Sequence, residues 1–106
     1  MRILVVCGAG ASSTFVAQRV RSAAERSGIA CDAHAGSEHT LAANDGDLDI
    51  VLVGPHLAAR MDDIRTGAAT RGARAVLLPD DIFTDLDGTR TLALVEQALN
   101  GEDNHV

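Results

Sequence analysis

Two periods of apolar residues run through this chain. Ile3-Leu4-Val5-Val6 and Ile50-Val51-Leu52-Val53 are unbroken apolar runs that stop at glycine-containing turns, as expected of strands buried on both faces. Arg74 to Leu78 reads the same way, with Pro79 closing it, and Ile29 to Ala35 alternates more weakly as a further strand. Between these runs the spacing is helical. Val16, Val20 and Ala23-Ala24 mark one helix face that Gly28 ends, with Ser12, Ser13 and Thr14 available as caps. A short helical piece is predicted around Glu38 to Ala43, ended by Asn44 to Gly46. Gly54-Pro55 opens a helix with the stripe Leu57, Met61, Ile64 and Ala68. An acidic loop from Asp80 to Gly88 leads to a last helix, Thr89 to Asn100, with Leu92, Val95 and Leu99 on one side and Gly101 at its end.

Strands alternating with helices on short connections require right-handed crossovers and a parallel sheet covered on both faces. The expected fold is α/β: a small four-stranded parallel sheet of order 2-1-3-4, flavodoxin-like and resembling low-molecular-weight phosphatases. The chain's 106 residues form one domain over residues 1–101, with a frayed tail at 102–106. No apolar run approaches the roughly 20 residues of a membrane span, and the N-terminal apolar stretch is too short for a signal peptide. A soluble, cytoplasmic protein without membrane insertion is expected.

Charge and composition narrow the partners. Nine Arg and no Lys against fifteen acidic residues give a net charge of −6 with no basic block, which disfavours nucleic acid and anionic membrane. Phe15 and Phe83 are the only aromatics, leaving little to stack on a base, a flavin or a sugar face. Cys7 and Cys31, without an export signal, do not suggest a disulfide framework.

In sheets of this order, ligands bind beyond the carboxyl ends of the strands where strand order reverses, here between strands 1 and 3. Cys7-Gly8-Ala9-Gly10-Ala11-Ser12-Ser13-Thr14 and Gly54-Pro55-His56 are the loops at that point. Gly8 and Gly10 let successive N–H groups curl round an anion, and the helix dipole and three hydroxyls add to them. The same donors favour a thiolate, so Cys7 reads as a nucleophile aimed at phosphorus. A small buried cysteine ending a strand is the plainer alternative.

Other sites fit less well. A low-molecular-weight phosphatase needs an Arg six residues after its Cys to grip the equatorial phosphoryl oxygens, and that position is Ser13; Arg19 lies about two turns further along. Asp80 and Asp81 could imitate that family's general acid but read as a turn after Pro79. A dinucleotide loop would want a third glycine at Ser13, with Asp32 only a loose ribose ligand. A flavin ring would have no obvious aromatic to flank it, and a receiver domain would need an acidic pair near the end of strand 1. His56 could border the anion with a proton or a hydrogen bond. His34, His39 and His105 form no metal-ligand spacing with either Cys, and Cys31 reads as packing within strand 2.

Over nearly its whole length the chain resembles the cytoplasmic IIB component of the bacterial phosphoenolpyruvate-dependent sugar phosphotransferase system, lactose/cellobiose class. Val5-Val6-Cys7 followed by Gly10-Ala11-Ser12-Ser13-Thr14 is similar to that family's cysteine loop. Val51 to His56 resembles its strand ending in Gly-Pro-Gln, with His56 for Gln, and Phe83 to Gly88 resembles a loop that often has Tyr where Phe83 stands. The resemblance implies that Cys7 accepts a phosphoryl group from a phosphohistidine on a IIA partner and donates it to a sugar bound by membrane component IIC. The backbone of Gly8, Ala9, Gly10, Ala11, Ser12, Ser13 and Thr14 would hold the phosphoryl oxygens with the three hydroxyls, His56 and Phe83 would be auxiliary, and no metal or cofactor would be needed. Two other readings stay open: a Cys-dependent phosphatase or arsenate reductase, and a regulatory phosphocarrier unconnected to transport.

Overall fold

A computed structural model describes residues 1–6, 10–36, 41 and 48–99, with the side chains at 11, 12 and 83 left aside. The four strands are β1 (Arg2–Val6), β2 (Asp32–Gly36), β3 (Ile50–Val53) and β4 (Arg74–Leu77). They form one parallel sheet in the order β2-β1-β3-β4, as the sequence pattern requires. The helices whose full extent is described are α1 (Gly10–Arg26), α2 (Met61–Ala69) and α3 (Thr89–Leu99), with 3-10 turns at Pro55–Arg60 and Ile82–Thr84.

The pleat divides the apolar runs into two cores. Ile3, Val5, Ile50 and Leu52 face α1 and α3, packing with Val16, Val20, Ala24, Leu92 and Val95. Leu4, Val6, Val51 and Val53 face α2, packing with Met61, Ile64 and Ala68. Alternate side chains of a strand point to opposite faces, so a run with no polar residue can lie only where helices cover both sides. All eight of these strand residues are buried.

Both α1 and α2 end in the same way. Gly28 and Gly72, each at φ 72°, take the left-handed position after the helix. Gly28 N–H donates to Glu25 O and Ile29 N–H to Ala24 O; Gly72 N–H donates to Ala69 O and Ala73 N–H to Ala68 O. This is the Schellman closure, which satisfies last-turn carbonyls, and only glycine takes its φ without strain.

Several expected boundaries shift. Ser12, Ser13 and Thr14 lie inside the first turns of α1 rather than ahead of them, because the helix already begins at Gly10. β2 starts at Asp32, so Ile29 and Cys31 precede the strand; the Schellman turn spends residues 27–29 leaving α1. Pro55–Arg60 is 3-10 rather than α-helical, with Leu57 outside helical geometry at φ −98°, ψ 17°, and regular helix begins at Met61. On α3, Leu99 is exposed, and Thr91 takes a buried place beside Leu92 and Val95. β4 is an edge strand with Leu77 exposed, unlike the runs in β1 and β3. The piece expected at Glu38 to Ala43 falls outside the described residues apart from Leu41, which is helical and buried.

The connection from β4 to α3 crosses the carboxyl edge of the sheet and returns against α1. Ile82 is buried in the core shared by α1 and α3. At Gly88, φ 76°, a Cβ would lie 2.1 Å from the carbonyl oxygen of Arg19, far inside contact distance. Gly88→Ala therefore combines a left-handed strain of about 1–2 kcal/mol with a backbone clash. Its expected cost in denaturant unfolding is about 3 kcal/mol or more. Gly28→Ala and Gly72→Ala, with nothing within 4 Å of the added carbon, should each cost only about 1 kcal/mol. Equal costs at all three positions would show that the 79–88 connection does not lean on α1.

Candidate functional site

Parallel pairing brings the ends of β1 and β3 to one edge. Val6 pairs with Val53 in register, and Gly54 N–H extends the ladder by donating to Val6 O at 2.8 Å. The chain leaves the two strands on opposite faces of the sheet, into α1 and toward α2. This divergence opens the crevice of a doubly wound sheet. Position 7 follows directly on β1, and α1 opens at Gly10. The first N–H groups of a helix have no intrahelical acceptor, so the amino end of α1 offers donors and a positive dipole end at this crevice.

The expected site residues are distributed as follows. Cys7, Gly8 and Ala9 lie outside the described residues, and the side chains of Ala11 and Ser12 are not described. Gly10 is the first residue of α1. Ser13 is 3 % exposed whereas Thr14 is exposed. Successive helix residues point about 100° apart, so these two hydroxyls do not share one direction. His56 is exposed in the first turn after Gly54-Pro55, on the carboxyl side of β3 next to β1. Phe83 lies in the 3-10 turn of the 79–88 connection, its side chain not described.

Arg19 reaches back further than its sequence position suggests. Its guanidinium lies over the Phe15 ring, 5.9 Å from the centroid, one turn nearer the amino end of α1. Helical side chains slope toward the amino terminus, which allows this stacking. Phe15 is itself 54 % exposed, an aromatic left in solvent close to the start of α1.

Two features of the acidic loop were not legible from composition. Asp85 is a buried carboxylate that accepts from Arg90 N–H at 3.2 Å, Thr91 N–H at 2.9 Å and the Thr91 hydroxyl at 2.9 Å. It thereby caps α3 from outside the usual N-cap position. Its signal in the sequence was slight, an Asp six residues before a Thr. Asp81 pairs with Arg90 at 3.1 Å. That hydrogen bond holds the Asp81 carboxyl below its ordinary value, the wrong direction for a general acid, which must carry a proton near neutral pH.

Cys31 has a different environment. It is half-buried beside α1, in an open groove of about 540 Å³ lined also by Gln18, Arg21, Ser22, Glu25 and Ile29. Burial pushes its thiol up from the ordinary value, so it stays protonated at neutral pH. Arg21 donates to Ala33 O at 3.0 Å beside it, occupying a carbonyl of edge strand β2. On the same strand the exposed His34 meets Asp32 at 2.6 Å. His39 and His105 lie outside the described residues, among which no three His, Cys, Asp or Glu side chains converge as metal ligands. Nor is any helix among them long and apolar enough to cross a membrane.

A parallel sheet of this order, with a helix opening at its switch point, defines a small doubly wound α/β protein. The family described as "PTS system, Lactose/Cellobiose specific IIB subunit" matches residues 2–92. The chain belongs to that family and is a component of the phosphotransferase system for sugars. The lactose-specific IIB component domain from Streptococcus pneumoniae has a similar structure, with TM-score 0.75, 17% identity, and coverage of 92% of this chain and 95% of that one. The cellobiose-specific phosphotransferase IIB component from Borrelia burgdorferi is also similar, with TM-score 0.73, 25% identity, and coverage of 97% and 94%. No curated protein matches the chain.

The Asp81–Arg90 pair sets an expected pH response. Asp81 should titrate below 3.8 in a carboxyl-resolved NMR titration, and Arg90→Ala should move its midpoint upward. A depressed folded-state value means that the stabilisation is present above the unfolded carboxylate value and is lost as pH falls through the folded one. An unchanged midpoint in Arg90→Ala would remove Arg90 as the cause.

Proposed function

We propose that this protein is a phosphocysteine carrier that takes a phosphoryl group from a phosphohistidine on a IIA protein and delivers it to a sugar bound by a membrane IIC protein. The single observation that carries the reading is the amino end of α1, which opens three residues after Cys7 at the crevice between β1 and β3. Family membership over residues 2–92 supports it. In the first step the Cys7 sulfur attacks phosphorus in line, the histidine N–P bond breaks, an S–P bond forms, and the thiol proton ends on the departing imidazole. In the second, a sugar hydroxyl takes the phosphoryl group and its proton restores the thiol.

The backbone N–H groups at the amino end of α1 and in the loop before it, helped by the Ser12 hydroxyl, stabilise the phosphoryl oxygens; Ser13, turned inward, and Thr14, turned to solvent, do not both face them. His56, exposed on the same edge, is an auxiliary donor, and Phe83, in the 79–88 connection, is assigned a second auxiliary role. With Ser13 where a phosphatase places its Arg, the cradle holds phosphate without a guanidinium fork driving hydrolysis. Residues 1–101 act as one carrier domain with a short tail, in the cytoplasm where IIA and IIC can both reach it. No metal or cofactor enters either step.

Incubation with phosphoenolpyruvate, enzyme I, the histidine phosphocarrier and IIA should add one phosphoryl group to Cys7, located by peptide mass spectrometry. The group should be absent without IIA and absent in Cys7→Ser. An unmodified protein beside a IIA proven active on another IIB component would count against this carrier role with that donor. Turnover of a small aryl phosphate would favour the hydrolase reading instead. Transfer from IIA to Cys7 with no onward transfer to sugar by IIC would point to a regulatory carrier.

The two thiols should also separate chemically. Alkylation with iodoacetamide at pH 7 should label Cys7 at least about tenfold faster than Cys31, since a lowered pKa raises the thiolate fraction and burial lowers it. Equal rates would deny Cys7 its activated environment.

A further inference from the structure

The 79–88 connection contains only one short 3-10 turn, yet it is fixed at three places. Ile82 sits in the core with Val16 and Val20 of α1. Asp85 accepts the three hydrogen bonds from Arg90 and Thr91 at the start of α3. Gly88 lies directly on the Arg19 carbonyl, its N–H donating to Asp85 O at 3.2 Å. The Asp85 carboxylate ties this connection to the start of α3, and Ile82 and Gly88 on either side of it bear on α1. Removing it leaves the buried Thr91 N–H and hydroxyl and the part-buried Arg90 N–H without their acceptor, and the turn that bears on α1 loses an anchor.

We propose that Asp85 is a positioning residue for phosphoryl transfer: by fixing residues 82–88 against α1, it sets the placement of the helix end that faces the β1–β3 crevice. The proposal rests on the carrier reading, because only an acceptor at that crevice makes the placement of α1 matter to a rate. Asp85 touches none of the reacting atoms. It acts through Gly88 and Arg19, and misplacement of about 1 Å at a reacting centre slows transfer by up to about a hundredfold.

The test uses the full chain with Asp85→Ala, Asp85→Asn and Thr91→Val, and with the exposed Asp80→Asn as control. Hydrogen exchange of the Val16 to Val20 amides should quicken about tenfold or more in Asp85→Ala, with smaller changes in the other two site variants and none in the control. Phosphorylation by IIA should slow about tenfold at saturating donor, with KM for the donor unchanged. The end point should still be one phosphoryl group per molecule. Partial unfolding would lower that stoichiometry instead. Should Asp85→Ala fail to fold, Asp85→Asn and Thr91→Val, each of which keeps part of the hydrogen-bond set, decide the question.

Faster exchange confined to Arg90 to Leu92, with Val16 to Val20 at the wild-type rate, would overturn the proposal and leave Asp85 a helix cap only. Faster exchange in α1 with an unchanged transfer rate would overturn it as well. If wild type itself accepts no phosphoryl group, the carrier reading fails and the catalytic part of the proposal falls with it. The exchange arm still decides separately whether Asp85 holds α1.

Discussion

The parallel pairing of β1 with β3 places every other feature of this molecule. Its two runs, Ile3 to Val6 and Ile50 to Val53, are buried in the middle of the sheet. Burying one such side chain contributes about 1.5–3 kcal/mol, and none can turn outward because helices cover both faces. A one-residue slip would exchange the two cores. Because the strands run the same way, their carboxyl ends lie together, and Gly54 N–H on Val6 O carries that alignment one residue past the sheet. The end of β1 and the turn containing His56 are neighbours for this reason.

The edge of the sheet is built from two kinds of support. α1 supplies a stiff rod whose amino end faces the crevice and whose other end is closed by Gly28. The 79–88 connection supplies an irregular brace, held by Ile82, Asp85 and Gly88 rather than by repeating hydrogen bonds. The proposed phosphoryl carriage would benefit from that combination. The group must be held by donors fixed in advance, while the edge must stay open enough for a donor protein and then an acceptor to approach the same atom. Arg19 over Phe15 leaves an aromatic and a cation exposed near the start of α1.

Much of this was legible in the chain because the forces involved are local or periodic. Unbroken apolar runs marked β1 and β3, since no other arrangement hides four consecutive side chains. Gly28 marked the end of α1. The resemblance of the Cys7 loop and of Gly54-Pro55 to the IIB family led to the family that the match over residues 2–92 shows. Other features depended on contacts that no short window contains. Ile29 and Cys31 have the residue types of a strand but lie before it, because the closure of α1 uses that segment. Leu99 fits the apolar period of α3 yet is exposed. Pro55–Arg60 has a helical stripe, yet it winds more tightly than the α2 that follows.

By itself the sequence determined the fold class and the strand order, because hydrophobic period and turn chemistry act over a few residues. Only the tertiary structure decided which polar groups hold that arrangement together. Asp85 is one of several acids in its loop until folding buries it over the start of α3. Gly88 is an ordinary turn glycine until α1 comes within contact distance, and Ser13 and Thr14 are equal neighbours until the helix turns one inward and the other to solvent. Hydrogen bonds and close contacts depend on positions in space, and residues far apart in the chain acquire those positions only when the sheet and helices pack.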